Sequence, residues 1–248
     1  RSPQTWDDTK KLINIYGIAS IMKYLHANNM IHRDLKPDNI LEDEFLFPTI
    51  ADFGLSKVIH NQETLTEESI ADVKGTLSYI APEIFQDNEY SKKSDVYAYA
   101  ITIYEIITNR VPYKGANYVI YSRVMSNNRP HIDNDVPKCY YDLITKCWSQ
   151  NPSERPTFEE ICHTLKTNKH FITKNVNEKE FLNYVKIVEN EGEPIDPSKK
   201  FTKVTITRSL SPPRISQDHN QDQNPDLILN PNPRPKDKLD NYQQFNRL

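Results

Sequence analysis

Glycine and cysteine are both scarce in this chain, five and three among 248 residues. Cys139, Cys147 and Cys162 are too few and too irregularly spaced for a disulfide framework or a zinc site. They read as reduced thiols in a reducing compartment. Charge of either sign is not in excess: 31 Lys and Arg face 34 Asp and Glu, for a net charge of −3. That balance gives no case for a general nucleic-acid or membrane-surface binder. Long apolar runs are also missing. The most apolar stretch, VYAYAITIYEII at residues 96–107, is too short to cross a bilayer and carries Glu105. No secretory signal is visible, so an intracellular, cytoplasmic protein is the default expectation. The chain opens on Arg1 instead of methionine, and is expected to lack its natural beginning.

Residues of one face recur at Leu12, Ile15, Tyr16, Ala19, Met22, Leu25 and His26, the spacing of a helix with one face on a core. The Ala27-Asn28-Asn29 cluster predicts its end. Ile40-Leu41 and Thr49-Ile50 predict the arms of a short hairpin around Asp43-Glu44. Pro48 cannot donate a ladder hydrogen bond, so its arm is expected at an edge. Ser94 is expected to cap a strongly apolar helix with Asp95 at its first position and Asn109 near its end. Further helices are predicted over 116–126, 140–150 and 158–167, the last opened by Thr157 three residues before Glu160. Residues 171–190 keep a helical pattern. From Glu191 onward Pro, Asn, Asp, Gln, Ser and Lys dominate, a composition that buries too little apolar area to offset ordering entropy. Residues 191–248 are therefore expected to form a disordered polar tail, with its short apolar patches incidental and the Ser211-Pro212-Pro213-Arg214 stretch plain linker.

Three motifs stand in order. HRDLKPDN occupies 32–39, ADFG 51–54 and GTLSYIAPE 75–83. Phosphoryl transfer needs a positioned hydroxyl, cations to neutralise phosphates, and dipoles matched to the developing charge. Asp34 is the candidate to accept or orient the hydroxyl proton. Asn39 and Asp52 offer hard oxygen ligands suited to Mg²⁺. Lys36 would place a positive charge by the transferring phosphate.

In these motifs residues 6–168 resemble the C-terminal lobe of a eukaryotic protein kinase. The resemblance implies a mainly helical α+β fold with a small hairpin, and transfer of the ATP γ-phosphate to a protein hydroxyl, with ATP and Mg²⁺ as cofactors. It implies a kinase domain over 1–170, a helical extension over 171–190 and the tail beyond. It further implies that His32 and Phe53 belong to a hydrophobic spine, with Gly54 completing the metal-binding turn. Asp95 would anchor the catalytic-loop backbone, Leu41 would pack under the adenine, and Glu83 would pair with Arg155. Lys36 and Thr76 match serine/threonine kinases, while CWSQNPSERPTF at 147–158 is similar to tyrosine kinases and the tyrosine-kinase-like group. A tyrosine-kinase-like enzyme acting on protein Ser/Thr hydroxyls is the reading that reconciles them. Arg33 implies control by a phosphate on the activation segment, with Thr64, Thr66 and Ser69 as candidate acceptors.

Departures are mild. Ala100 replaces a glycine, and Glu42 and Pro48 stand in the hairpin where apolar residues are commoner, which an edge tolerates. The larger departure is upstream. About thirty residues precede His32, without a glycine-rich loop or a VAIK-like strand, and their single glycine, Gly17, falls within a predicted helix. The N-terminal lobe is thus expected to be absent, and the chain by itself to have little or no activity. The alternative is a non-catalytic, kinase-derived scaffold or binding module, or a gene remnant.

Overall fold

The first helix, α1 (Asp8–Ala27), begins where Asp7 accepts a hydrogen bond from the Lys10 amide and ends at the turn formed by Asn28 and Asn29. Asn29 takes a left-handed φ of 56°, which asparagine tolerates. The computed structural model describes residues 6–43, 45–52, 57–58, 77–87, 89–190 and 202–203. All lie within one unit, Arg1–Ser209.

Beyond α1 the helices are α2 (Pro82–Asp87), α3 (Lys92–Thr108), α4 (Asn117–Met125), α5 (Lys138–Cys147), α6 (Phe158–Thr167) and α7 (Glu178–Asn190). The strands are β1 (Met30–Ile31), β2 (Ile40–Glu42), β3 (Pro48–Ile50), β4 (Lys57–Val58) and β5 (Thr202–Lys203). This is the mainly helical architecture with a small hairpin that the resemblance implies.

Helices α1 and α3 form the centre. Leu12, Ile13, Ile15 and Ile18 of α1 and Tyr97, Tyr99, Ala100 and Ile101 of α3 are fully enclosed. Helix α6 packs on α1, where Phe158 meets His26 edge-on at 5.0 Å, and the same ring meets Tyr99 of α3 edge-on at 5.3 Å. Helix α5 packs on α3, and α7 closes the outer side of α1. Sequestering so many β-branched and aromatic side chains supplies the main driving force for this arrangement.

Several boundaries differ from the sequence reading. Ser91, not Ser94, is the N-cap of α3, and Ser94 is the third helical residue, closing a capping box with Ser91. Asp95 therefore sits one turn inside the helix, aimed inward. Helix α5 begins two residues before Tyr140 and stops at Cys147, ahead of the expected Gln150, because Trp148 turns out of helical geometry. Thr157 and Glu160 form the expected capping box of α6. The short helix α2 begins within the APE stretch, at Pro82, and has too few residues to show a period.

Strand β3 is an edge, as Pro48 requires, in a sheet ordered β3-β2-β5. Glu42 is no edge residue. It lies on the central strand, 7% exposed. The third strand comes from the segment expected to be tail: Thr202 pairs with Glu42 and Lys203 with Leu41. The remaining expectations for 191–248 lie outside the described residues. Strand β1 pairs antiparallel with β4. Cys147 and Cys162 are buried, Cys139 is half-buried, and all three are free thiols. Among the described residues no helix is long and apolar enough to cross a membrane.

Candidate active site

The loop that joins β1 to β2 carries His32, Arg33, Asp34, Lys36 and Asn39. Its backbone is pinned from α3. Asp95, 1% exposed, accepts hydrogen bonds at 2.9 Å from the amides of His32 and Arg33. The same carboxylate takes a third at 2.9 Å from His26 Nε2, in the last turn of α1. Three donors on one buried carboxylate satisfy it fully and fix the loop against two helices. Arg33 is held at φ 71°, and Asp52 at φ 62°. Left-handed backbone at two non-glycine residues costs on the order of 1 kcal/mol or more each, and persists where the surroundings over-determine it.

The loop side chains then organise one another. Lys36 Nζ donates to Asp34 Oδ2 at 2.6 Å, and Asn39 Nδ2 donates to the same oxygen at 2.9 Å and to the Asp34 carbonyl at 2.7 Å. One Asp34 oxygen, Oδ2, is thereby doubly engaged. The His32 imidazole is enclosed. Its Nε2 donates to the Ala51 carbonyl at 3.3 Å, and its Nδ1 accepts from the Asp34 amide at 3.3 Å. Both contacts are those of the neutral ring, and burial pushes its pKa below the usual value against the opposing pull of Asp95. The amide of Ala51 donates to the Asn39 carbonyl at 2.7 Å, so the residue before Asp52 is stitched to the loop. Asp52 itself is exposed.

Leu41 is the middle residue of β2, paired with Thr49 on one side and Lys203 on the other. Glu83, in the first turn of α2, and Arg155 form a two-pronged ion pair at 2.6 and 2.8 Å. Arg155 is fully buried. It also donates to the Ser149 and Lys93 carbonyls and lies over the Tyr97 ring at 5.2 Å. Phe53, Gly54, Thr64, Thr66, Ser69 and Thr76 lie outside the described residues.

The structure adds roles that the motifs do not show. His26, expected only on the core-facing side of α1, shares Asp95 with the loop. Tyr90 lies under the Arg33 guanidinium at 5.3 Å. Tyr79 donates to Glu105 of α3, tying the end of the GTLSYIAPE stretch to the core. Neither aromatic has a local sequence signature.

The family model for protein tyrosine and serine/threonine kinases matches residues 2–165. Among similar proteins of Dictyostelium discoideum, a probable LIM domain-containing serine/threonine-protein kinase is 39% identical over 163 residues, which is 65% of this chain and 16% of that protein. An RGS domain-containing serine/threonine-protein kinase is 41% identical over 152 residues, 61% of this chain and 13% of that one. A dual specificity protein kinase is 37% identical over 171 residues, 68% of this chain and 12% of its own length. The chain thus spans less than a quarter of each of these relatives. With the match running through the loop that carries Asp34, the hairpin, helices α1 to α5 and most of α6, the chain belongs to the protein tyrosine and serine/threonine kinase family.

Proposed function

We propose that the chain carries the catalytic loop of a serine/threonine-specific protein kinase that moves the γ-phosphate of ATP to a protein hydroxyl. The observation that carries this reading is the Asp34–Lys36–Asn39 cluster on a loop pinned by Asp95. Asp34 accepts or orients the proton of the incoming hydroxyl, with its second oxygen available to the substrate. Lys36, 2.6 Å from that carboxylate, would supply positive charge beside the transferring phosphate. Leu41 supports the adenine from β2. The buried Glu83–Arg155 pair fixes the segment that leads to the protein substrate.

The donor set fits magnesium. Asn39 Nδ2 is committed twice to Asp34, which leaves the amide Oδ1 to face a cation, and Asp52 adds an exposed carboxylate; both are hard oxygens. When bound, the ion neutralises charge on the phosphates. Serine/threonine specificity rests on Lys36 and Thr76, on the group resemblance, and on the names of the similar proteins. A cytoplasmic setting is consistent with three free thiols. Among the described residues the Arg33 Nε is buried without a hydrogen-bond partner, which supports reading Arg33 as the receiver of a regulatory phosphate, with Thr64, Thr66 and Ser69 as the candidate carriers.

The test is the Asp34→Asn variant of the full-length protein that contains this chain, assayed with Mg-ATP on a protein substrate. Transfer should fall by about 10²–10⁴-fold with an unchanged circular dichroism spectrum. Phosphoamino-acid analysis should find phosphoserine and phosphothreonine; phosphotyrosine alone would defeat the specificity, and an unaffected rate would defeat the mechanism. Residues 1–248 contain no glycine-rich loop or VAIK-like lysine motif upstream of His32. We therefore expect these residues alone to transfer phosphate poorly, and brisk Mg-ATP-dependent transfer by them would contradict that.

A further inference from the structure

Gly17 sits in the interior of α1, where glycine costs about 1 kcal/mol relative to alanine. Its backbone does not need glycine, since its φ is not positive. The space does. A Cβ at position 17 would lie 2.3 Å from the Tyr184 hydroxyl of α7 and 2.5 Å from Cγ of Pro48 in β3. Helix α1, the hairpin and α7 therefore meet at one point that admits no side chain.

The contacts around that point run from α7 to the hairpin turn. The Tyr184 ring lies tilted against Phe47 at 4.6 Å, and Tyr16 meets Phe181 edge-on at 5.7 Å and Tyr184 at 6.4 Å. Phe181, Tyr184 and Val185 are buried. Polar ties reach the same turn from α1: Lys10 donates to the Phe45 carbonyl at 2.9 Å and pairs with Glu180 of α7 at 2.8 Å. Asn14 donates to the Leu46 carbonyl at 3.0 Å. On the other side of the hairpin, β5 pairs with Leu41 and Glu42. Both α7 and β5 lie beyond residue 165, where the family match ends. They converge on the one hairpin whose ends carry Asn39 and Asp52 and whose centre carries Leu41.

We infer that α7 is a positioning element for the nucleotide- and metal-facing side of the site, with Tyr184 wedged against Gly17 as its contact point. The inference rests on the kinase reading above. The division of labour is specific. The backbone of the loop that carries Asp34 is held through Asp95, whereas Leu41, Asn39 and Asp52 are held through the hairpin, with Asn39, which donates to Asp34, linking the two. Loosening the wedge should therefore weaken Mg-ATP binding more than the phosphoryl-transfer step.

The experiment uses the full-length protein carrying Tyr184→Leu, Tyr184→Phe, Gly17→Ala, and the pair Gly17→Ala/Tyr184→Phe. Tyr184→Leu and Gly17→Ala should raise KM for Mg-ATP about tenfold while kcat stays within about twofold. Tyr184→Phe, which keeps the ring, should match the parent, and should recover part of the Gly17→Ala defect by removing the hydroxyl from the clash. Amide hydrogen exchange at residues 43–51 should accelerate at least tenfold in Tyr184→Leu, with α3 unchanged. An unmoved KM with an active parent overturns the inference alone. So does exchange that is unchanged, or that accelerates equally everywhere. If Gly17→Ala does not fold, the two Tyr184 variants decide. If the parent transfers no phosphate, the kinase reading falls, and hydrogen exchange still decides whether α7 holds the hairpin.

Discussion

The loop that carries Asp34 and the hairpin that follows it adjoin in sequence, yet opposite chemistry holds them. The loop is pinned by one buried carboxylate, Asp95, which takes hydrogen bonds from His26 and from the amides of His32 and Arg33. The hairpin is pinned mainly by aromatic packing and close approach, Phe47 on Tyr184 and Pro48 on Gly17. Directional polar bonds fix angles, which suits a group that must present an oxygen to a substrate hydroxyl. Apolar contacts fix distance and exclude water but tolerate small rotations. On the proposed reading, a surface that receives a whole nucleotide can be built the second way, whereas the carboxylate that meets the substrate hydroxyl cannot.

The contrast predicts different failures. Phe181→Ala removes a fully buried ring between α7 and α1. It should cost about 4 kcal/mol of unfolding free energy by denaturant titration, since Phe→Ala in a core loses both transfer energy and a cavity. In the surviving folded fraction kcat should be near the parent's. Asp95→Asn should cost less, about 3 kcal/mol, because the amide keeps the shape while turning an N–H toward donors. Its folded fraction should nevertheless lose transfer at least a hundredfold, because the loop amides of His32 and Arg33 lose their common acceptor and Asp34 loses its aim. If both variants lost activity only in proportion to stability, loop and hairpin would not be separate devices.

The two regions also differ in how far sequence revealed them. Asp34, Lys36 and Asn39 were legible because the chemistry of phosphoryl transfer asks for a carboxylate, a cation and a hard oxygen donor close together in one motif, while the Glu83–Arg155 pair, 72 positions apart, was legible only through the family resemblance. The capping box at Thr157 and Glu160 was legible, like the loop, from residue types at short spacing. The shift of the α3 cap from Ser94 to Ser91 was not, because two serines three apart satisfy the same pattern and only the reciprocal box decides between them. The wedge at Gly17 was invisible, since it depends on side chains 31 and 167 positions away along the numbering, Pro48 and Tyr184. Strand β5 was missed because a two-residue strand leaves no period, and pairing by backbone needs no particular side chain.

Glu42 is where the hairpin departs from its own apolar rule, and it gives the smallest effect and the opposite sign. Burial raises its pKa from the usual 4.5 to about 7, with Asp43 adding to the rise, while a hydrogen bond from Asn14 and the charge of Lys10 resist it. Below about pH 4.5 the carboxyl is protonated in folded and unfolded chains alike, and its titration costs nothing. Between about pH 4.5 and 7 the unfolded chain releases the proton and the folded chain keeps it, so stability falls as pH rises. Above about pH 7 both forms are ionised and the full cost remains, on the order of 3 kcal/mol at most. Glu42→Gln removes the charge but leaves a buried amide, so it should gain about 2 kcal/mol at pH 8 and nothing at pH 4. Urea titrations of parent and variant across that range read the difference directly. A difference independent of pH would mean that Lys10 and Asn14 keep Glu42 ionised throughout. The hairpin would then be held by charge as much as the loop is, and the contrast between the two regions would fail at this residue.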